Sequence, residues 1–588
     1  MSADKKIKMT NSIKKVLFLL DAQDRLRALR LLVLMFIAVF LETLGIGMIL
    51  PILSLMVESD INNIHPLFSS LYIWLGSPSK FEFITFFLIL MVLVFVFKNI
   101  FISFYFWYQF DFVSDITGNL GKKLLNKYLS MTYTEHTKRN SSIYIRNATT
   151  EVGFFNSLLS AYLMLSIESS MIIFFSILLL IVDPKIFIFA GATLFICSYI
   201  FYIFTSDRVT RFGKDRLFHE GKRIYLIQES IGAIRDIIIR GKEEFFLNQF
   251  DFHNRKTASN ERNYEFVRVL PRLFIESIVV IIFAVIVIVS LNNITGTNNN
   301  LLPIFGLFAG AAIKLMPSVN RVITSLKAIK YNKASIDTLF DELKISTRIK
   351  DSSNGKIKIN FQRLLHLDQI TFEHKDPKKI ILDAVNLKIT SGSSIGLVGE
   401  SGAGKSTIID LISGLIEPQN GYIIADGQNI NLNLRSWQDE IGYVSQSILL
   451  LDDTLKKNIV FGVSEAEIDQ KLLEESIQSA QLNDFVNSLP RGIETNIGEK
   501  GVRISGGQRQ RVAIARVLYS NPSFLIFDES TSALDTDTEK EILKVIFSLK
   551  GKKTILIVSH RLSTISECDF VYKIENGKLF QIELETKL

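Results

Sequence analysis

Six apolar runs, each close to the thickness of a bilayer, constrain this chain of 588 residues more than any other feature. They are Leu31–Val57, Phe83–Phe106, Phe154–Val182, Ile186–Phe204, Phe274–Leu291 and Leu301–Ile323. About 20 mostly apolar residues suffice to cross a membrane. Lipid offers the backbone no hydrogen bonds, so runs of this kind must form helices. A mean hydropathy of +0.28 and 45 phenylalanines are too apolar for an ordinary soluble protein. The third and fourth runs are separated only by Asp183-Pro184-Lys185, which predicts a tight hairpin.

The formal net charge of +7 fits basic cytoplasmic loops facing anionic lipid, and no nucleic-acid partner is expected. The two cysteines, Cys197 and Cys568, lie far apart and make neither a disulfide framework nor a metal site. The basic N-terminus, MSADKKIKMTNSIKK, precedes a run too long for a signal-peptide core, so it reads as retained. Lysine and arginine concentrate in that N-terminus and in 122–146 and 206–262. The loops near 58–80, 183–185 and 292–300 are nearly free of them. The N-terminus, the long loops and the C-terminal domain are therefore expected in the cytoplasm, and the short loops outside.

Apolar residues recur with helical period across 224–250. Segments 114–150 and 206–265 are therefore predicted to continue the spans as rigid helices, turning near Tyr133–Ser142 and Gln228–Gly241. The expected domains are a transmembrane region at 1–330, a linker at 331–365 and an α/β domain at 366–588. The polar stretch at 341–365 marks the linker most clearly.

Residues 395–408, IGLVGESGAGKSTI, place Gly399, Glu400, Ser401, Gly402, Ala403, Gly404, Lys405, Ser406 and Thr407 between a strand and a helix. This is a phosphate-binding loop in its required context. Glycines let backbone N–H groups wrap phosphate, and the helix N-terminus adds positive potential. Lys405 is expected to reach the β- and γ-phosphates of ATP, and Ser406 to bind Mg2+. Residues 524–529, FLIFDE, deliver Asp528 to the metal side, and Glu529 is placed to polarise the attacking water.

Between these lies Ile504-Ser505-Gly506-Gly507-Gln508, which resembles the signature sequence of ABC transporter ATPases, with Ile504 where the family usually has Leu. Physically it is another anion-binding helix N-terminus. In the family it closes on the γ-phosphate held by a second subunit, which implies a homodimer with two composite sites. Further resemblances follow in order. Tyr443-Val444-Ser445-Gln446 is similar to the loop whose Gln touches magnesium and water. Thr495–Gly501 resembles a loop beside the coupling turns, and Ser532–Asp535 a dimer-contact loop. His560 matches the histidine that contacts the γ-phosphate. His374 stands where the family stacks an aromatic ring on adenine, with Phe372 two residues earlier as the alternative ring.

Six spans followed by one ATPase domain resemble an ABC exporter half-transporter. The implied fold is a six-helix membrane domain with long cytoplasmic extensions, followed by an α/β P-loop nucleotide-binding domain. Stretches 40–51, 269–277 and 314–325, with the outside segment 65–76, resemble bacterial lipid-linked oligosaccharide flippases. That resemblance implies a cytoplasmic-membrane protein moving a polyprenyl-pyrophosphate glycan. A multidrug, peptide or lipid A-type exporter is the alternative. Lys98, Arg272, Lys314 and Arg321 are the candidate substrate cations; Lys314 and Arg321 share one helix face. Snorkelling to the interface competes with that role. Glu42 is expected to pair with one of these cations. Residues 64–75 read as a short interfacial helix.

Overall fold

The computed structural model describes residues 12–48, 72–73, 78–182, 184–292, 301–345, 358–375, 378–498, 501–529 and 536–583. The outside segment 64–75 apart from 72 and 73, residues 499–500 of the loop at 495–501, and Ser532–Asp535 lie outside these residues. The chain divides into two compact units, one of residues 1–131 and 137–346 and the other of 132–136 and 347–588.

The first unit is built from long helices. They are α1 (Ala22–Gly47), α2 (Lys80–Leu129), α3 (Val152–Val182), α4 (Pro184–Gly232), α5 (Glu243–Asn292), α6 (Leu301–Tyr331) and the shorter α7 (Lys333–Lys344). Among the described residues, four helices are long and apolar enough to cross a membrane. The helices α2 and α5 have 50 residues each and α4 has 49. At about 1.5 Å per residue each is more than twice as long as the roughly 30 Å hydrocarbon layer. The expected rigid extensions are therefore continuous with the spans. They break where turns were predicted, at a short helix Tyr133–Thr137 and around Ile234–Arg240. Gly241 ends the latter in left-handed conformation at φ 57°.

Local sequence sets these boundaries. Ser79 opens α2 with a capping box: its hydroxyl accepts from the Glu82 amide and the Glu82 carboxylate accepts from the Ser79 amide. A π-helical turn, Asn147–Glu151, leads into α3. Part of the expected linker is ordered. Residues 333–344 form α7, because Ile336 and Leu339 recur at helical spacing and are fully buried against the α1–α2–α3 core.

The proline in α5 has a visible consequence. Pro271 has no N–H, so the carbonyl of Val267 loses its helical donor. The buried Lys327 of α6 supplies one instead, its ammonium donating to Val267 O at 2.8 Å and lying 4.5 Å over the Phe201 ring.

The second unit carries two sheets. An antiparallel sheet runs β2–β1–β4–β5, with β1 Leu364–Lys375, β2 Lys378–Thr390, β4 Asn420–Ala425 and β5 Gln428–Asn429. A second sheet runs β10–β9–β3–β8–β7–β6, with β3 Ser394–Gly399, β6 Ile441–Val444, β7 Phe524–Asp528, β8 Thr554–Val558, β9 Phe570–Glu575 and β10 Lys578–Ile582. All its neighbours pair in parallel except β9 and β10. The strands β3, β7 and β8 are apolar almost throughout because helices cover both faces. Trp437, fully buried, donates its indole N–H to Ile412 O at 2.6 Å and fixes one flank of this core.

Candidate nucleotide site and intramembrane charges

In an open parallel sheet, loops at the carboxyl ends of the strands form the binding crevice. Four such ends converge here. The P-loop leaves β3, Asp528 and Glu529 leave β7, His560 follows β8 and Gln446 follows β6. The register brings them level, since Asp528 of β7 pairs with Val558 of β8 and Leu397 of β3 pairs with the same Val558.

Gly399 closes β3, Glu400, Ser401, Gly402 and Ala403 form the loop, and Gly404 caps α8 (Lys405–Ile412), whose first turn holds Lys405, Ser406 and Thr407. Gly404 sits at φ +111° and a Cβ there would meet Leu382 at 3.0 Å, so only glycine suits the position. The Lys405 ammonium curls back over the loop, donating to Gly399 O at 2.8 Å and Glu400 O at 3.1 Å, and stands 3.3 Å from His560 Nε2. Burial lowers the Lys405 pKa, while Glu529 and Asp528 oppose that shift.

Glu529 is the hub. Its Oε1 lies 2.7 Å from His560 Nε2 and its Oε2 accepts from Gln446 Nε2 at 3.0 Å. The residue has φ 45°, uncommon for a non-glycine, and its amide donates to Val558 O at 3.0 Å. That turn aims the carboxylate at the strand ends. Burial pushes the Asp528 carboxyl up, and the Tyr443 hydroxyl, donating to Oδ2 at 3.1 Å, pulls it back. Asp410 is pushed up to about 6 by burial and by Asp528. Sequence reasoning missed the parts of Tyr443 and Asp410; both become neighbours only when the sheet and α8 assemble.

Ser505 caps α9 (Gly506–Tyr519) with a second capping box. Its hydroxyl accepts from the Gln508 amide at 3.3 Å, and Gln508 Oε1 accepts from the Ser505 amide at 2.9 Å. Gly506 and Gly507 follow in the first turn, where a Cβ at Gly507 would meet Thr538 at 2.5 Å. Among the described residues, no hydrogen bond joins Ser505–Gln508 to the P-loop cluster. His374 lies on β1, its backbone opposite Lys379; its side chain lies outside the described residues.

The candidate substrate cations divide. Lys98 is buried and ion-paired with Glu42 at 3.0 Å, its ammonium 4.1 Å over the Phe95 ring. Glu42, left open between several partners by the sequence, thus joins α1 to α2. Arg321 of α6 pairs with Glu168 of α3 at 2.5 Å, the carboxylate buried and the arginine side chain 42% exposed. Arg272 pairs with Glu276 one turn along its own helix at 3.0 Å and is exposed. Lys314 lies on α6, with its side chain outside the described residues. The lone acid in the third apolar run, Glu168, was the signal that sequence reading passed over.

Comparison with known proteins agrees with this geometry. Residues 382–532 match the ABC transporter family, and residues 35–310 match the ABC transporter transmembrane region. The chain is an ABC exporter half-transporter. A bacterial Atm1-family ABC exporter solved with ATP bound superimposes with a TM-score of 0.72 over 94% of both chains, at 22% identity, and so shares the fold. The ATP-dependent lipid A-core flippase of Cupriavidus pinatubonensis is 29% identical over 378 residues, 63% of each chain. The chain thus spans under two thirds of that relative. A Bacillus subtilis protein named for multidrug export, YgaD, is 34% identical over 282 residues, 48% of each chain. As an ABC exporter with apolar helices and bacterial relatives, this half-transporter is a multi-pass inner-membrane protein with a cytoplasmic ATPase domain.

Proposed function

We propose that this half-transporter works as a homodimer, hydrolysing ATP to flip an anionic glycolipid from the inner to the outer leaflet. The observation that carries ATP hydrolysis is the meeting of Glu529 with His560 and Gln446, beside Lys405, at the strand ends. Ser406, Gln446 and Asp528 offer a hydroxyl, an amide oxygen and a carboxylate. That hard oxygen set suits magnesium, and these residues would hold it. When bound, the ion neutralises phosphate charge during transfer. Lys405 and the loop N–H groups hold the phosphates. Glu529 accepts a proton from the attacking water and His560 orients that carboxylate. Ser505 caps a helix whose positive N-terminus suits an anion, which supports a second copy completing each site.

The substrate reading rests on the resemblance to lipid-linked oligosaccharide flippases and on Arg321, whose half-exposed side chain carries an intramembrane ion pair. A lipid A-type substrate is the second reading. It is supported by the relatives' names. Proteoliposomes test this. ATPase stimulation by polyprenyl-pyrophosphate glycans, and not by lipid A-core, peptides or drugs, is expected. Stimulation by cationic drugs alone would overturn the lipid reading.

A further inference from the structure

Tyr443 has a position that the hydrolytic roles above do not use. It sits on edge strand β6 opposite Ile526 of β7. Side chains alternate along a strand, so Ile526 and Asp528 share a face, and Asp528 is the diagonal neighbour of Tyr443. That diagonal is within reach of a long aromatic side chain. The reach is realised, with the Tyr443 hydroxyl donating to Asp528 Oδ2 at 3.1 Å. Only one of the two carboxylate oxygens is engaged in this way, so the other keeps its lone pairs for a cation.

Tyr443 is 43% exposed, so its ring is held by the strand and by this hydrogen bond, not by core packing.

We propose that Tyr443 is a positioning residue: it fixes the rotamer of Asp528 for magnesium. The proposal rests on the Mg2+–ATP reading of the site. Ligand-orienting partners of this kind typically change metal affinity about 10–100-fold when removed.

The test is equilibrium binding of a fluorescent ATP analogue to the full chain in nanodiscs, titrated with Mg2+ and repeated in EDTA. In Tyr443→Phe the half-saturating Mg2+ should rise about tenfold, while nucleotide affinity in EDTA stays at the wild-type value. Phe keeps the ring, and the EDTA titration reports whether the variant is folded. An unchanged Mg2+ requirement in Tyr443→Phe overturns the positioning role. If wild-type binding ignores Mg2+ altogether, it is the Mg2+–ATP reading that fails.

Discussion

At the scale of single residues, environment separates carboxylates that look alike in sequence. Glu529 is held by His560 and Gln446, whereas Asp410 is half-buried beside a like charge. Glu529→Gln should lower ATP turnover by roughly 10^2–10^4-fold, the range for losing a general base, with ATP binding retained in a filter assay. Asp410 behaves differently. Its folded pKa, about 6, lies above the ordinary 3.8, so the native state binds the extra proton between those values. Its ionisation therefore costs stability, fully so above about pH 6, and the cost fades as pH falls toward 4. Asp410→Asn should raise the melting temperature at pH 8, with the gain shrinking as pH drops through 6. A gain independent of pH would show that charge is not the cause.

At the scale of elements, a helix defect is repaired by a neighbour. Pro271 removes a donor from α5, and Lys327 of α6 returns one to Val267 O. The two residues should then be energetically coupled. Lys327→Met alone leaves a buried carbonyl without a partner, at about 1–3 kcal/mol. In a Pro271→Ala background the helix can supply its own N–H, and the same substitution should cost less. Thermal denaturation of the four proteins in the cycle measures this, with a coupling of about 0.5–3 kcal/mol expected; additive effects would break the link. The ends of α2, α4 and α5 were legible in sequence because caps, Gly241 and basic clusters mark them. The helix at 333–344 was not, because its polar residues read as linker and its two buried apolar positions, Ile336 and Leu339, gain meaning only from the core they enter.

At the scale of the whole molecule, the half-transporter is expected to act in pairs. Mixed dimers offer the measurement. One copy carrying Lys405→Ala and the other Ser505→Arg should retain one intact composite site, because the two changes then fall on the same site. Both changes in one copy of a mixed dimer with wild type should instead impair each site once. Equal ATPase activity from the two arrangements would contradict trans complementation. The intramembrane pairs belong to this scale too, since they tie separate helices. Glu42→Gln strands the buried Lys98 and should cost about 3–5 kcal/mol, whereas Glu42→Gln with Lys98→Met should recover most of it. Detergent stability of the purified protein decides between them.

The sequence by itself determined the class. Apolar runs of bilayer length must be helices, and G-x-x-x-x-G-K-S between strand and helix has the pattern of a phosphate loop, because both follow from local backbone chemistry. It also named Asp528, Glu529, Gln446 and His560, whose motifs are short and contiguous. Only the tertiary structure decided which charges meet. Lys98 with Glu42, Arg321 with Glu168, Tyr443 with Asp528 and Lys327 with Val267 are contacts between residues 56 to 153 positions apart. Partner choice at such separations is set by helix crossing and strand register, which local periodicity does not encode.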